Sequence, residues 1–67
     1  MIITEIKKDD ANKLVVEAKE YKGHKYVDIR VYWQHEDNWY PTKRGITITK
    51  KNKEALMEAI NKGVALL

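Results

Sequence analysis

Between residues 19 and 44, six aromatic side chains alternate with six cations: Tyr21, Tyr26, Tyr32, Trp33, Trp39 and Tyr40 among Lys19, Lys22, Lys25, Arg30, Lys43 and Arg44. The chain has no Phe, so every aromatic keeps an O–H or N–H and suits a half-wetted position better than a sealed core. Flat rings that stack bases, beside cations that follow a phosphate backbone, are what a nucleic-acid single strand requires. Duplex DNA would use the cations but hides its base faces. The competing use of the same rings is cross-strand packing in a small sheet.

Taken singly, these residues divide. Trp33 shares an alternation with Val27, Ile29 and Val31, so a core or dimer contact competes with base stacking. Tyr21 stands opposite the Leu14, Val16, Ala18 face and is expected exposed, while Trp39 and Tyr40 fall in a polar stretch as a lid or an adaptable contact. Arg30 beside Asp28 also reads as an ion pair, worth little at a surface. Lys50, Lys51 and Lys53 fall on the expected first helical turn and oppose its dipole; a phosphate would explain them, a solvated face does so more simply.

Catalysis finds little to stand on. The only histidines, His24 and His35, have no ligand cluster at metal-binding spacing, and the absence of Cys closes thiolate zinc sites and disulfides. There is no Gly-rich phosphate loop and no nucleophile elbow. The expectation is a non-enzyme with no cofactor, no metal and no small-molecule substrate.

Alternation of apolar and polar residues sets the elements. Residues 2–8 form a short first strand with broken alternation, and Asp9–Asn12 a turn. A second strand runs from Lys13 to Tyr21, Lys22-Gly23 turns the chain, and His24 to Trp33 is the clearest strand. Gln34 to Thr42, polar and holding the only Pro, reads as a loop; a fourth strand follows from Lys43 or Arg44 to Ile48, with Ile46 and Ile48 inward. After Thr49, the expected N-cap, Ala55, Leu56, Ala59, Ile60 and Val64 recur at helical spacing. Gly63 either ends this helix or marks a close backbone approach. The fold class is therefore α+β, a four-stranded antiparallel sheet with one C-terminal helix.

One helix cannot cover both faces of such a sheet, and 67 residues build a marginal core. With disulfides closed, self-association is the remaining stabiliser. The net charge of +3 is modest and uneven: residues 1–20 carry −1, residues 21–45 and 46–67 carry +2 each. No apolar run reaches membrane-spanning length and the N-terminus lacks signal-peptide character, so an intracellular protein, cytoplasmic or nucleoid-associated, is expected with no membrane partner.

Tyr21-Lys22-Gly23, then Asp28-Ile29-Arg30-Val31-Tyr32-Trp33, then Lys43-Arg44-Gly45-Ile46 resemble the transcriptional coactivator family typified by positive cofactor four. The likeness runs from about Lys13 to Leu67 and needs no gap between Tyr21 and Ile46. It implies a homodimer in which each subunit contributes a strongly bent four-stranded sheet and a helix. The helices meet through Leu56, Ile60 and Val64, and the sheets hold single-stranded DNA. By position, Tyr21 and Trp33 fall on stacking residues, and Lys19, Lys43 and Arg44 on cations of the binding surface, with Lys22 and Arg30 beside them. A lysine of the family near the start of the sheet is replaced by Asn12, leaving Lys13 as the nearest cation. The Ser- and Lys-rich tail of eukaryotic members has no counterpart, so the resemblance is to a stand-alone prokaryotic or viral version. Residues 1–67 are expected to act as one single-stranded DNA-binding domain. The alternatives are a homodimeric protein-interaction module, or single-stranded RNA as the ligand.

Overall fold

The computed structural model describes all residues from Met1 to Leu67. Strands β1 (Ile2–Lys7), β2 (Asn12–Tyr21), β3 (His24–His35) and β4 (Asn38–Ile48) form an open antiparallel meander in sequence order, followed by helix α1 (Lys53–Val64). Each connection has a local cause. Between β1 and β2, an Asp9 carboxylate oxygen accepts from the Ala11 amide at 2.8 Å and from the Asn12 side chain at 3.0 Å. Lys22 and Gly23, with φ of 50° and 79°, make the tight β2–β3 turn, whose twist matches that of the strands.

The third connection corrects the expected loop. Glu36 and Asp37 take φ of 49° and 66°, a two-residue turn, so Gln34 and His35 finish β3 while Asn38 to Thr42 already belong to β4. Two physical reasons hid it. This end of the hairpin runs past the packed part of the sheet, where alternation is not demanded. Pro41, opposite Tyr32, lies in an edge strand, where a missing amide proton is tolerated.

Register sorts the side chains onto two faces. Leu14, Val16 and Ala18 lie opposite Val31, Ile29 and Val27, and the last two lie opposite Ile46 and Ile48, giving a continuous apolar face. Val15 and Asp28, the most buried residues at 2% and 4% exposure, lie on the other face. Val15 sits in register between Glu5 and Arg30, whose long stems shield it. On the apolar face only Val31 is buried, and Ile46 stays half-exposed instead of entering a core.

Helix α1 explains this, because it leaves the sheet rather than covering it: the extensive contacts are between neighbouring strands, and α1 buries no residue. Asn52, not Thr49, is its N-cap position, and the Asn52 side chain ties the link instead of capping. Its Oδ1 accepts from the Thr49 amide at 2.8 Å and its Nδ2 donates to the Thr47 carbonyl at 3.2 Å. Lys50 and Lys51 therefore lie in this link, ahead of the helix, and only Lys53 is helical. Gly63 does not end the helix, which continues to Val64, and a Cβ built on it would meet nothing within 4 Å. Glu58 and Lys62 pair along the helix at 3.1 Å. No helix is long and apolar enough to cross a membrane.

Candidate nucleic-acid interface

The β3–β4 register breaks where the basic pair sits. Arg30 lies opposite Gly45 but Tyr32 lies opposite Pro41, so Thr42, Lys43 and Arg44 bulge against the single residue Val31. Thr42 holds the bulge: its hydroxyl donates to the Val31 carbonyl at 2.7 Å and accepts from the Arg44 amide at 3.2 Å. Bulges re-aim side chains, and here Lys43 and Arg44 are both exposed and form no ion pair. Sequence reasoning places the pair at the start of a regular strand; the bulge that displays it has no signature in the alternation.

Arg30 occupies a different position. Its Nε and one terminal nitrogen donate to the two Asp28 carboxylate oxygens at 3.1 and 2.9 Å, and the other terminal nitrogen donates to the Thr42 carbonyl at 2.9 Å. Three of its five donor hydrogens are thus committed within the chain. The hydrogen bonds from Arg30 hold the Asp28 carboxyl below its ordinary pKa despite burial, and Asp28 raises that of Arg30 in return. Arg30 fastens strand to bulge.

Gly45 permits that arrangement. A Cβ there would stand 2.7 Å from the Ile29 carbonyl oxygen and 2.9 Å from the Arg30 guanidinium carbon. Backbone oxygen cannot swing aside, so Gly45→Ala is expected to spread β3 from β4 and cost about 1–3 kcal/mol, the usual range for overpacking. A lowered urea midpoint with unchanged m-value checks it; an unchanged midpoint would deny the tight approach.

The stacking candidates lie far apart. Tyr21, 64% exposed at the β2–β3 turn, has the Lys22 ammonium 5.4 Å from its ring centre. Trp33, 45% exposed near the other end of β3, stacks on His35 with ring centres 5.1 Å apart. Nine residue steps from His24, which pairs with Tyr21, to Trp33 put about 30 Å between them. Register also puts them on opposite faces: Tyr21 shares the Val15–Asp28 side, whereas Trp33, opposite Asn12 and Tyr40, shares the apolar side. A single chain therefore offers two aromatic stations, not one platform. Lys19 is exposed on the Tyr21 side, with its ammonium 3.8 Å from Glu17. Lys13 does not replace the family lysine as a free cation, because it bonds Glu5 at 2.6 Å and lies 4.4 Å over the Trp39 ring. Trp39 is accordingly half-buried, while Tyr40 is exposed.

Sequence reasoning singles out the turn aromatic but not its surroundings. Around Tyr21 the fold assembles His24, Lys25 and Tyr26 from β3 with Lys50 and Lys51 from the β4–α1 link. The signal available in the sequence was the run of lysines after Thr49, read there as a solvated helical face. On the helix, Leu56 is half-buried, and Ile60 and Val64 are exposed.

Residues 8–59 match the family described as Transcriptional Coactivator p15 (PC4). No curated protein matches the chain. Among solved structures, a PC4 homologue of Burkholderia pseudomallei superposes in two crystal forms. The orthorhombic form gives a TM-score of 0.82 at 22% identity, covering 96% of this chain and 88% of that one. The tetragonal form gives 0.83 at 20%, covering 96% of each. A bacteriophage T5 homologue of the eukaryotic coactivator, implicated in recombination-dependent DNA replication, superposes with a TM-score of 0.73 at 21% identity, over 92% of this chain and 76% of that one.

Proposed function

Since the chain belongs to the PC4 family of transcriptional coactivators, we propose that it binds single-stranded DNA as a homodimer, with little regard for sequence. The observation that carries this reading is the β4 bulge, which displays the unpaired cations Lys43 and Arg44 within the family-matched segment. Lys43, Arg44, Lys19 and Lys22 meet phosphates, and Tyr21 and Trp33 stack bases at separate points along the strand. Arg30 supports the surface from beneath. Phosphate contacts and face-stacking carry no base identity, so the preference is for an unpaired strand rather than for a sequence. The task served is transcription regulation, or replication and repair.

Tryptophan fluorescence tests it, with a mixed-sequence strand of roughly 20 nucleotides and with its duplex. Saturable quenching is expected with the strand and weaker binding with the duplex, the affinity falling with added salt by a log–log slope of about 0.7 per neutralised phosphate. Trp33→Ala should cost about 1–3 kcal/mol of binding. Arg44→Glu should weaken every sequence alike. A dimeric protein that binds neither strand nor duplex would overturn the reading in favour of a protein-interaction surface.

A further inference from the structure

We propose that the hollow beside the β2–β3 turn extends the Tyr21 stacking point into a nucleotide subsite, in which Lys50 and Lys51 carry a bound strand off the sheet and across the link between β4 and α1. The inference rests on the strand-binding reading above. The hollow measures about 640 Å³, within the range of small-ligand sites. Its walls come from two elements distant in sequence: Tyr21, His24, Lys25 and Tyr26 from the hairpin, Lys50 and Lys51 from the link.

Charge is the first reason. No carboxylate lines the hollow, and Lys25, Lys50 and Lys51 join none of the ion pairs in the chain. Other cations are answered locally, Lys7 by Asp10, Lys13 by Glu5 and Lys62 by Glu58, while Lys43 and Arg44 share the unpaired state of the hollow's lysines. Lys50 and Lys51, with Lys25 whose cross-strand neighbour is Glu20, leave the concavity with a net positive potential that an anion relieves. Anchoring is the second reason. The Asn52 side chain bonds the Thr49 amide and the Thr47 carbonyl, so the backbone bearing Lys50 and Lys51 is tied to the end of β4. The third is chemistry. Two tyrosine rings in the same walls offer flat faces to a base, which an acidic peptide would leave unused. A nucleotide unit of a single strand, base on Tyr21 and phosphates on the lysines, uses all of these groups together.

The test is the salt dependence of strand binding by Lys50→Gln/Lys51→Gln, against wild type and a charge-matched control, Lys7→Gln/Lys8→Gln. All four positions are exposed, and circular dichroism verifies that folding is kept. The log–log slope is expected to fall by about 1.4 in the first variant, 0.7 for each lost phosphate contact, and to stay unchanged in the control. Wild type binding with its slope preserved in Lys50→Gln/Lys51→Gln would overturn the subsite alone. An equal loss in the control would also overturn it, assigning the effect to net charge. Failure of wild type to bind any strand would bring down the function reading itself. A poly-glutamate peptide that binds the hollow as tightly as the strand would overturn the nucleotide assignment.

Discussion

With the proposed homodimer, an Ile60→Glu chain is expected to stay monomeric and to lose most of its fold. The reason begins with area. The single chain exposes 5653 Å², whereas a compact monomer of 7.9 kDa exposes about 4,400 Å², an excess of about 1,200 Å². Its radius of gyration of 13.5 Å likewise exceeds the value near 11 Å expected for this length. The excess has an address: the half-covered sheet face of Leu14, Val16, Val27, Ile29 and Ile46, and the helix stripe of Leu56, Ile60 and Val64. A helix this short is marginal without tertiary packing, and α1 buries no residue within the chain. A two-fold partner would cover both at once, because a symmetric interface repeats one patch against itself. Sedimentation of the wild type should give twice 7.9 kDa, and thermal midpoints should rise with protein concentration. A carboxylate in the centre of that stripe, without a partner, opposes burial, so Ile60→Glu should sediment as a monomer with little helical signal. Ile60→Leu serves as the control. A wild type that is monomeric at all concentrations, with a midpoint independent of concentration, would refute the dimer and leave the apolar face unexplained.

The strands that could be read from sequence were those whose alternation is enforced by packing. Val27, Ile29 and Val31 must face one way, so β3 and its turn at Lys22-Gly23 stand out. The far end of the β3–β4 hairpin was illegible because Gln34, His35, Glu36 and Asp37 extend beyond any packed layer, and nothing selects their pattern. The side that a lone chain buries was hidden for a related reason. Apolar alternation points to the Leu14–Val16 face, yet a lone chain buries Val15 and Asp28, because long polar side chains cover that side while the helix leaves the other open. Of the candidate site, Tyr21, Lys43 and Arg44 stood among the interleaved aromatics and cations, and the family resemblance singled them out. The bulge that turns the last two outward depends on the Thr42 hydroxyl, and the lysine hollow depends on bringing residues 25 and 50 together, neither of which leaves a periodic trace.

Asp28→Ala is expected to be the most damaging substitution on the sheet itself. The Asp28 side chain is 6% exposed and accepts two hydrogen bonds from Arg30, which also holds the Thr42 carbonyl at the bulge. Breaking a buried pair by removing one member typically costs about 3–5 kcal/mol, and because Arg30 retains some contact with water the lower end, about 3 kcal/mol, is expected here. Acidity should reproduce part of this. Arg30 depresses the Asp28 pKa in the folded chain, so its contribution is present above the unfolded value of about 3.9 and is lost as pH falls through the lower folded value. The wild type should therefore lose stability on acidification below about pH 4, and Asp28→Ala should show a flatter acid limb, with one proton fewer taken up on unfolding. Asp28→Leu/Arg30→Met removes both charges and is expected to regain much of the lost stability. That double variant also separates the two roles open to Arg30. If Arg30 only fastens the bulge, the refolded double variant keeps the salt slope of strand binding, since Lys43 and Arg44 remain. A slope lower by about 0.7 would instead make Arg30 a phosphate contact in its own right.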